Sequence, residues 1–188
     1  MWKIFDKGAV GVVLKLVLGL MVLLLFGCSH DGRFDGAKRY NFETFEGEKF
    51  EVRSNLDYLL ISQKNKPITK NLLVFFLDLE DANSLEYIQT LKNLQKDYID
   101  LQVVALSVKK LSREKMREFG IKNEINFLLL SPLDSRDMFK DFGVRLEGEG
   151  GSVGLPFLLL YDKGGKKIQS YRGAVPQEMF MFDLSNLK

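Results

Sequence analysis

Cysteine and histidine are almost absent from this sequence of 188 residues, which contains one of each, Cys28 and His30. A single cysteine cannot close an internal disulfide, and thiol–disulfide exchange needs both an attacking and a resolving thiol. A lone histidine without other ligands nearby does not make a metal site. We therefore predict that the chain holds no metal and no cofactor, and that His30 is a solvated residue.

Outside its N-terminal segment, the sequence has no excess of positive or negative charge. Residues 1–27 carry three lysines against one aspartate, and residues 28–188 contain equal numbers of basic and acidic side chains. Proteins bind polyanions through clustered lysines and arginines that contact phosphates. A neutral domain without a basic run gives no support for a nucleic-acid partner.

No apolar run in the sequence is long enough to cross a membrane. Residues 16–26 (LVLGLMVLLLF) are uninterrupted and apolar, but at about 1.5 Å per residue they cannot span a hydrocarbon core of ~30 Å. A charged segment followed by a short apolar one is typical of a secretory signal. The run ends in Leu25-Phe26-Gly27-Cys28, which resembles the lipobox of bacterial lipoproteins.

The lipobox resemblance implies cleavage before Cys28 and acylation of that residue. Several acyl chains anchor a protein firmly, where one chain binds only marginally. We predict a signal peptide at 1–27, a lipidated tether at 28–40 and a globular domain at 41–188, anchored in the bilayer and facing the periplasm. Ser29 in the second mature position favours the outer membrane over the inner one. The alternative is a signal anchor with an incidental buried cysteine.

Strands and helices alternate along the predicted domain. A small hairpin is expected around Gly47, a short helix over residues 54–61 and a strand over 72–77, whose unbroken apolar character is typical of the centre of a covered sheet. An amphipathic helix follows, with Asn83 as its predicted N-cap and Glu86 completing a capping box. Further strands are predicted at 101–108, 125–130 and 155–161.

The remaining helices are delimited by capping residues. The second helix is expected to begin after Ser112 and end at Gly120, and the third to begin after Asp134 and end at Gly143. Pro176 is predicted in the first turn of a final helix. The glycine-rich residues 148–154 precede a strand, whereas phosphate-binding loops join a strand to a helix, so they are interpreted as a flexible loop.

Three motifs carry a resemblance to a known fold. Residues 154–165 (GLPFLLLYDKGG) combine Gly-x-Pro, an apolar strand, an Asp and a glycine turn, residues 142–144 read FGV, and residues 171–173 read YRG. Together with the hairpin at Gly47, these motifs resemble the thioredoxin-like fold, in particular the TlpA and ResA type of membrane-anchored periplasmic thioredoxins. The resemblance covers about residues 41–187. It implies an α/β three-layer sandwich with a central mixed sheet and an N-terminal β-hairpin.

The same resemblance identifies a candidate binding loop at Gly154, Leu155 and Pro156. In the family, the proline of this motif follows a cis peptide bond. Its functional role would be to leave the backbone of Leu155 unpaired, so that an extended peptide can add to the sheet. Its purely structural role would be a turn that ends one ladder.

The resemblance also implies that the redox site has been replaced. Alignment on the strand at 72–77 puts Asp81 at the attacking cysteine and Ser84 at the resolving one, with Glu80 in the usual tryptophan position. Phe75 stands where many thioredoxins hold a buried carboxylate. Neither Asp nor Ser can form a disulfide, so we predict no thiol oxidoreductase or peroxidase activity.

The acidic turn has two further interpretations from the residues alone. Asp78, Glu80 and Asp81 are a candidate cation site, but clustered acids do not by themselves make a six-ligand oxygen site. Carboxylates at the first turn of a helix are stabilised by its dipole, which favours helix capping. Ser84 has no histidine partner for activation as a nucleophile.

The function predicted is therefore a binding or accessory one: the domain accepts a peptide segment of another envelope protein. The alternative is an enzyme-related role, a diverged thiol–disulfide component of cytochrome c maturation or envelope redox folding that acts beside a cysteine-bearing partner. A purely structural envelope component is a third possibility.

Overall fold

A computed structural model describes residues 32–135, 137–148, 151 and 153–187. Cys28 and His30 lie outside these residues, so the signal peptide, the lipidation site and most of the tether stay predictions. Residues from Arg33 onward form one compact unit. Within the described part of the chain, no helix has the length and apolar character needed to cross a membrane.

Folded structure begins earlier than the predicted boundary at residue 41. A short 3-10 helix spans Gly32–Phe34, and the first strand begins at Lys38. Phe34 is only 7 % exposed, because its ring packs edge-on against Tyr58 and lies under the guanidinium of Arg53. An aromatic side chain buried in this way fixes the chain several residues before the hairpin.

The described strands form one mixed sheet. Its order is β4-β3-β2-β1-β7-β6-β5-β8-β9, with β5, β6 and β7 parallel and the other neighbours antiparallel. The strands are β1 (Lys38–Glu43), β2 (Lys49–Ser54), β3 (Leu59–Gln63), β4 (Lys66–Pro67), β5 (Asn71–Leu77), β6 (Leu101–Ser107), β7 (Leu128–Pro132), β8 (Phe157–Tyr161) and β9 (Lys167–Arg172).

Helices cover both faces of this sheet. They are α1 (Ala82–Glu86), α2 (Ile88–Asp97), α3 (Arg113–Lys122), α4 (Met138–Glu147) and α5 (Gln177–Ser185). Every residue of β5 is buried, and the strand sends Val74 and Phe76 into one core and Phe75 and Leu77 into the other. The first core includes α4 and the hairpin β1–β2, and the second includes α2, α3 and α5. This confirms the predicted three-layer α/β architecture with a central mixed sheet and an N-terminal hairpin.

The helix predicted over residues 54–61 is wrong, because β3 begins at Leu59 and pairs with β2. Side chains in the preceding turn bond to nearby backbone groups: the Leu56 N–H donates to Ser54 Oγ (3.0 Å) and the Tyr58 N–H donates to Asn55 Oδ1 (2.9 Å). Leu56 has a φ of 77°, which a helix excludes. Local bonds from Ser and Asn compete with helix formation, and here they make a turn.

The predicted N-cap at Asn83 is also wrong. Asp81 is the N-cap, in extended conformation, and the helix begins at Ala82. The helical segment is then interrupted at Tyr87, which separates α1 from α2. Asp81 takes the cap position because its carboxylate reaches the N–H of Ser84, three residues on.

Two predicted helix ends and one predicted cap also differ from the structure. Gly120 and Gly143 lie inside α3 and α4, and the cap of α4 is Asp137, not Asp134. Gly148, with a φ of 86°, follows α4 instead. A glycine weakens a helix by only about 1 kcal/mol, so packing of the flanking residues decides whether the helix continues. In the last helix, Pro176 is the N-cap residue just before the first turn.

Candidate functional site

The candidate site lies at one edge of the central sheet, where β5 ends and β8 begins. The two strands are antiparallel, and the last pair at this edge joins Phe76 to Phe157. The segment after β5 leads into Asp81 and α1, and the segment before β8 contains Pro156. Strand pairing therefore brings together the two parts of the sequence that the resemblance singled out.

Asp81 and Ser84 form a tight pair at the start of α1. Asp81 Oδ2 accepts from the Ser84 N–H at 2.7 Å and from Ser84 Oγ at 2.6 Å. Ser84 is completely buried. The hydroxyl is thus committed to the carboxylate and has no access to a substrate, so the pair caps the helix and offers no nucleophile.

Tyr87 joins the helix to the loop after β9, which sequence reasoning missed. Its hydroxyl lies 3.0 Å from Gly173 O and 3.2 Å from Val175 O, and it accepts from the Val175 N–H. The Gly173 N–H in turn donates to Pro156 O at 3.0 Å. The available signal was a tyrosine beside Ile88 of the predicted apolar stripe, because a buried phenol needs a hydrogen-bond partner.

The proline loop lies beyond the end of the sheet ladder. The Leu155–Pro156 peptide bond is cis, as the resemblance implied. Leu155 is half-buried and packs against the first core, whereas Gly154 is exposed. Because the ladder between β5 and β8 ends at Phe157, the backbone of Leu155 stands outside it.

Phe75 makes the interior beneath the helix apolar. The side chain is fully buried, and its ring centroid lies 6.4 Å from that of Tyr87. No ionisable side chain occupies this position, so a proton relay through a carboxylate is missing here. An aromatic pair of this kind contributes packing energy and no acid–base function.

Lys109 forms ion pairs with two acids of the turn, and sequence reasoning missed it. Its Nζ lies 3.0 Å from Asp78 Oδ2 and 2.7 Å from Glu80 Oε2. Burial by itself would raise the pKa of Asp78, but bonds from the Glu80 N–H and Lys109 outweigh it and lower that pKa below its ordinary value. The hydrogen bond to Glu80 is the main cause that raises the pKa of Lys109. Residues 78 and 109 follow neighbouring strands β5 and β6, which was the available signal.

These contacts account for the three acids of the turn. Asp78 and Glu80 pair with Lys109, and Asp81 caps α1. In the part of the chain that the structure describes, no group of three or more His, Cys, Asp and Glu side chains could hold a metal ion. Ion pairing and capping therefore explain the acidic residues without a cation.

Several solved structures with the same fold are named as thiol–disulfide proteins. A thiol:disulfide interchange protein of the thioredoxin family from Chlorobium tepidum TLS is similar with a TM-score of 0.57 at 14 % identity, over 80 % of this chain and 94 % of that chain. A secreted disulfide oxidoreductase of Mycobacterium tuberculosis, homologous to E. coli DsbE, gives 0.52 at 14 %, over 84 % and 99 %. A thiol-disulfide isomerase from Corynebacterium glutamicum gives 0.52 at 19 %, over 63 % and 80 %.

No protein-family profile matches the sequence, and no curated protein matches it. Identities this low show a shared backbone arrangement and not a shared activity. That arrangement includes the mixed sheet and the helices on both of its faces. The chain therefore has the thioredoxin-like fold.

Proposed function

We propose that this protein is a lipid-anchored envelope protein whose thioredoxin-like domain binds an extended peptide segment of a partner and performs no thiol chemistry. The observation that carries the proposal is the pairing of two features at one sheet edge. Leu155, in the proline loop, stands outside the ladder between β5 and β8. The start of α1, where thiol–disulfide proteins of this fold carry their reactive cysteines, holds Asp81 and Ser84 instead. An unpaired strand end can accept a peptide by strand addition.

The lack of a pair of cysteines in the sequence supports binding without redox chemistry. Cys28 is the chain's one cysteine, and in the proposed lipoprotein its sulfur is acylated. Exchange of a disulfide requires a free thiolate and a resolving thiol. The buried Ser84 hydroxyl, held by Asp81, replaces neither of them.

Photo-crosslinking from the loop tests the peptide groove. A photoreactive amino acid at Gly154 should crosslink a distinct envelope protein in intact cells, and Gly120 is a matched control. At both glycines an added Cβ meets no atom within 4 Å, and neither has positive φ. The adduct should be specific to residue 154 and should weaken when Pro156→Ala is added.

Identical adducts from residues 154 and 120, or an adduct at 154 that Pro156→Ala leaves unchanged, would remove the basis for the groove.

The second candidate function is a diverged redox component, which the fold of the thiol–disulfide proteins favours. Insulin reduction by the purified full-length protein separates the two functions, because turnover requires a thiol. We expect none, and measurable turnover would support the redox role.

The anchor and the location are proposed from the N-terminal sequence, with Ser29 favouring the outer membrane and the domain facing the periplasm. The secreted disulfide oxidoreductase of the same fold is consistent with an envelope role. Labelling of cells with a palmitate analogue tests the anchor. Wild-type protein should incorporate the label and Cys28→Ser should not, since the acyl chains attach to this residue. Equal labelling of both would contradict lipidation at Cys28.

A further inference from the structure

The start of the folded domain is fixed to the end of the sheet opposite the candidate site. Asn55 Nδ2 donates to the backbone carbonyls of Arg33 (3.0 Å) and Asp35 (3.2 Å). Arg33 Nη1 donates to Gly164 O at 3.4 Å. Gly164 belongs to the turn between β8 and β9. We call this region, around Asn55 and Gly164, the anchor end.

Strand β8 gives the separation between the anchor end and the site. Pro156 precedes β8 at the site, and Asp162 follows it at the anchor end. A strand advances about 3.3 Å per residue, so the two ends are roughly 20 Å apart. Strand β9 returns over the same distance from Lys167 to Gly173, whose N–H contacts Pro156.

The chain between the proposed acylation site and the domain is short. Cys28 and Arg33 are five residues apart in the sequence. Even fully extended, such a segment reaches at most about 18 Å. Arg33 must therefore stay close to the headgroups if Cys28 carries the lipid, and the site end is the part of the domain that can lie farthest from them.

We propose that the anchor holds the end around Asn55 and Gly164 nearest the bilayer, so that the groove at Leu155 opens away from the membrane. This inference rests on the proposed acylation of Cys28 and deepens the proposed peptide-binding function. It identifies the partner as a water-exposed, extended segment of an envelope protein that projects beyond the headgroups. Segments lying within the lipid or along its surface are then not the ligands of this groove.

The test measures the height of two positions above the bilayer in the full-length lipidated protein. Lys166→Cys at the anchor end and Asn83→Cys at the site end each supply the sole free thiol, because the native cysteine is acylated. Both side chains are exposed, and neither makes a hydrogen bond or ion pair within the described residues. Each variant carries a fluorophore and is reconstituted in vesicles containing headgroup spin-labelled phospholipid.

Quenching at residue 166 should be about threefold stronger than at residue 83, because contact quenching is lost over the ~20 Å between the two ends of β8. Insertion of a long Gly-Ser segment between His30 and Asp31 should remove most of the difference. Equal quenching at both positions, or stronger quenching at 83, would overturn the orientation.

The outcome separates this inference from the proposals on which it rests. An intact mass without acyl chains would overturn the anchor and the orientation together. A failure of crosslinking at Gly154 would affect the peptide groove alone, and the quenching pattern would be unchanged.

Discussion

Asp81 is the N-cap of α1, and its removal should be costly. Its carboxylate accepts two hydrogen bonds from Ser84, one of them from a fully buried hydroxyl. Asp81→Ala loses an N-cap, worth about 1 kcal/mol, and leaves the hydroxyl unsatisfied at about 1–3 kcal/mol. We expect urea denaturation to show a loss of about 2–4 kcal/mol in the free energy of unfolding, the sum of these two costs.

Asn83→Ala is the matched control for this cap. The Asn83 side chain is exposed, so the loss should stay within about 0.5 kcal/mol. Ser84→Ala added to Asp81→Ala should recover part of the loss, since no buried hydroxyl then lacks a partner. A larger effect of Asn83→Ala than of Asp81→Ala would mean that the helix begins two residues later.

Asp78 should make the stability of the domain depend on acidic pH. Burial opposes ionisation of this carboxyl, but the Glu80 N–H and Lys109 more than offset it, so its pKa is lower in the folded protein than in the unfolded chain. A lowered pKa stabilises the fold at pH values above the unfolded pKa, and that contribution is lost as the pH falls through the folded one. The free energy of unfolding should therefore fall below about pH 4.

Asp78→Asn tests this origin by urea denaturation at several pH values. The variant should be less stable than wild type at neutral pH, and its stability should fall less steeply on acidification. Some slope should remain, because at Asp141 burial raises the pKa but hydrogen bonds from Lys38 and Tyr40 outweigh it and hold that pKa low. An unchanged slope would show that Lys109 does not lower the pKa of Asp78 in solution.

The turn between β8 and β9 depends on a glycine that no side chain can replace. Gly165 has a φ of 79°, and an added Cβ would lie 2.3 Å from Leu59 O. The same residue accepts from the Leu59 N–H at 2.8 Å, so neither backbone can move away freely. Gly165→Ala should lower the free energy of unfolding by about 3 kcal/mol, combining backbone strain and steric overlap.

Gly36→Ala measures the backbone strain without the steric overlap in thermal or urea unfolding, so the difference between the two variants gives the steric part. Gly36 also has positive φ, at 66°, but an added Cβ meets no atom within 4 Å. The expected loss is only about 1–2 kcal/mol, the cost of a left-handed conformation. Equal losses at the two glycines would contradict the close approach to Leu59.

Strands in the middle of the sheet could be predicted from sequence because burial alone determines them. Residues 72–77 and 155–161 are apolar on both faces, which suits only a covered sheet. Helix ends could not be predicted as well, because Asn83 and Asp81 are both good N-caps by type. The choice depends on which side chain reaches a free N–H two or three residues further on, and in the structure Asp81 reaches that of Ser84.

The short strand β3 shows a second limit of local pattern. Leu56, Leu59 and Leu60 have helical spacing, but pairing with β2 and the bonds of Asn55 outweigh it. Lys109 and Tyr87 were missed at the site for a related reason. Their partners lie on segments distant in sequence, and only the parallel order of β5 and β6, or the return of β9, brings them together.

The molecule as a whole has the thioredoxin-like fold, and we expect two cysteines placed at the start of α1 to pair. In Asp81→Cys/Ser84→Cys one sulfur takes the place of the Asp81 carboxyl carbon and the other that of Ser84 Oγ. The native side chains already meet, because Asp81 Oδ2 lies 2.6 Å from Ser84 Oγ. Such proximity suits a disulfide, and the start of a helix lowers the pKa of a cysteine thiol. We expect the oxidised variant to show no titratable thiol and the reduced one to reduce insulin slowly.

Slow turnover is expected because the rest of the site differs from a redox site. Phe75 provides no buried carboxylate for proton transfer, and Ser84 and Asp81 were the only positions changed. Ala82→Cys/Ser84→Cys is the control, since residues two apart in a helix do not face each other. If this control pairs as well as the test variant, or if both thiols of the test variant stay titratable under oxidising conditions, the helix start does not have the geometry of a redox motif. A disulfide specific to positions 81 and 84 would mean that the scaffold preserves the geometry for thiol exchange while its native side chains use the same positions for capping.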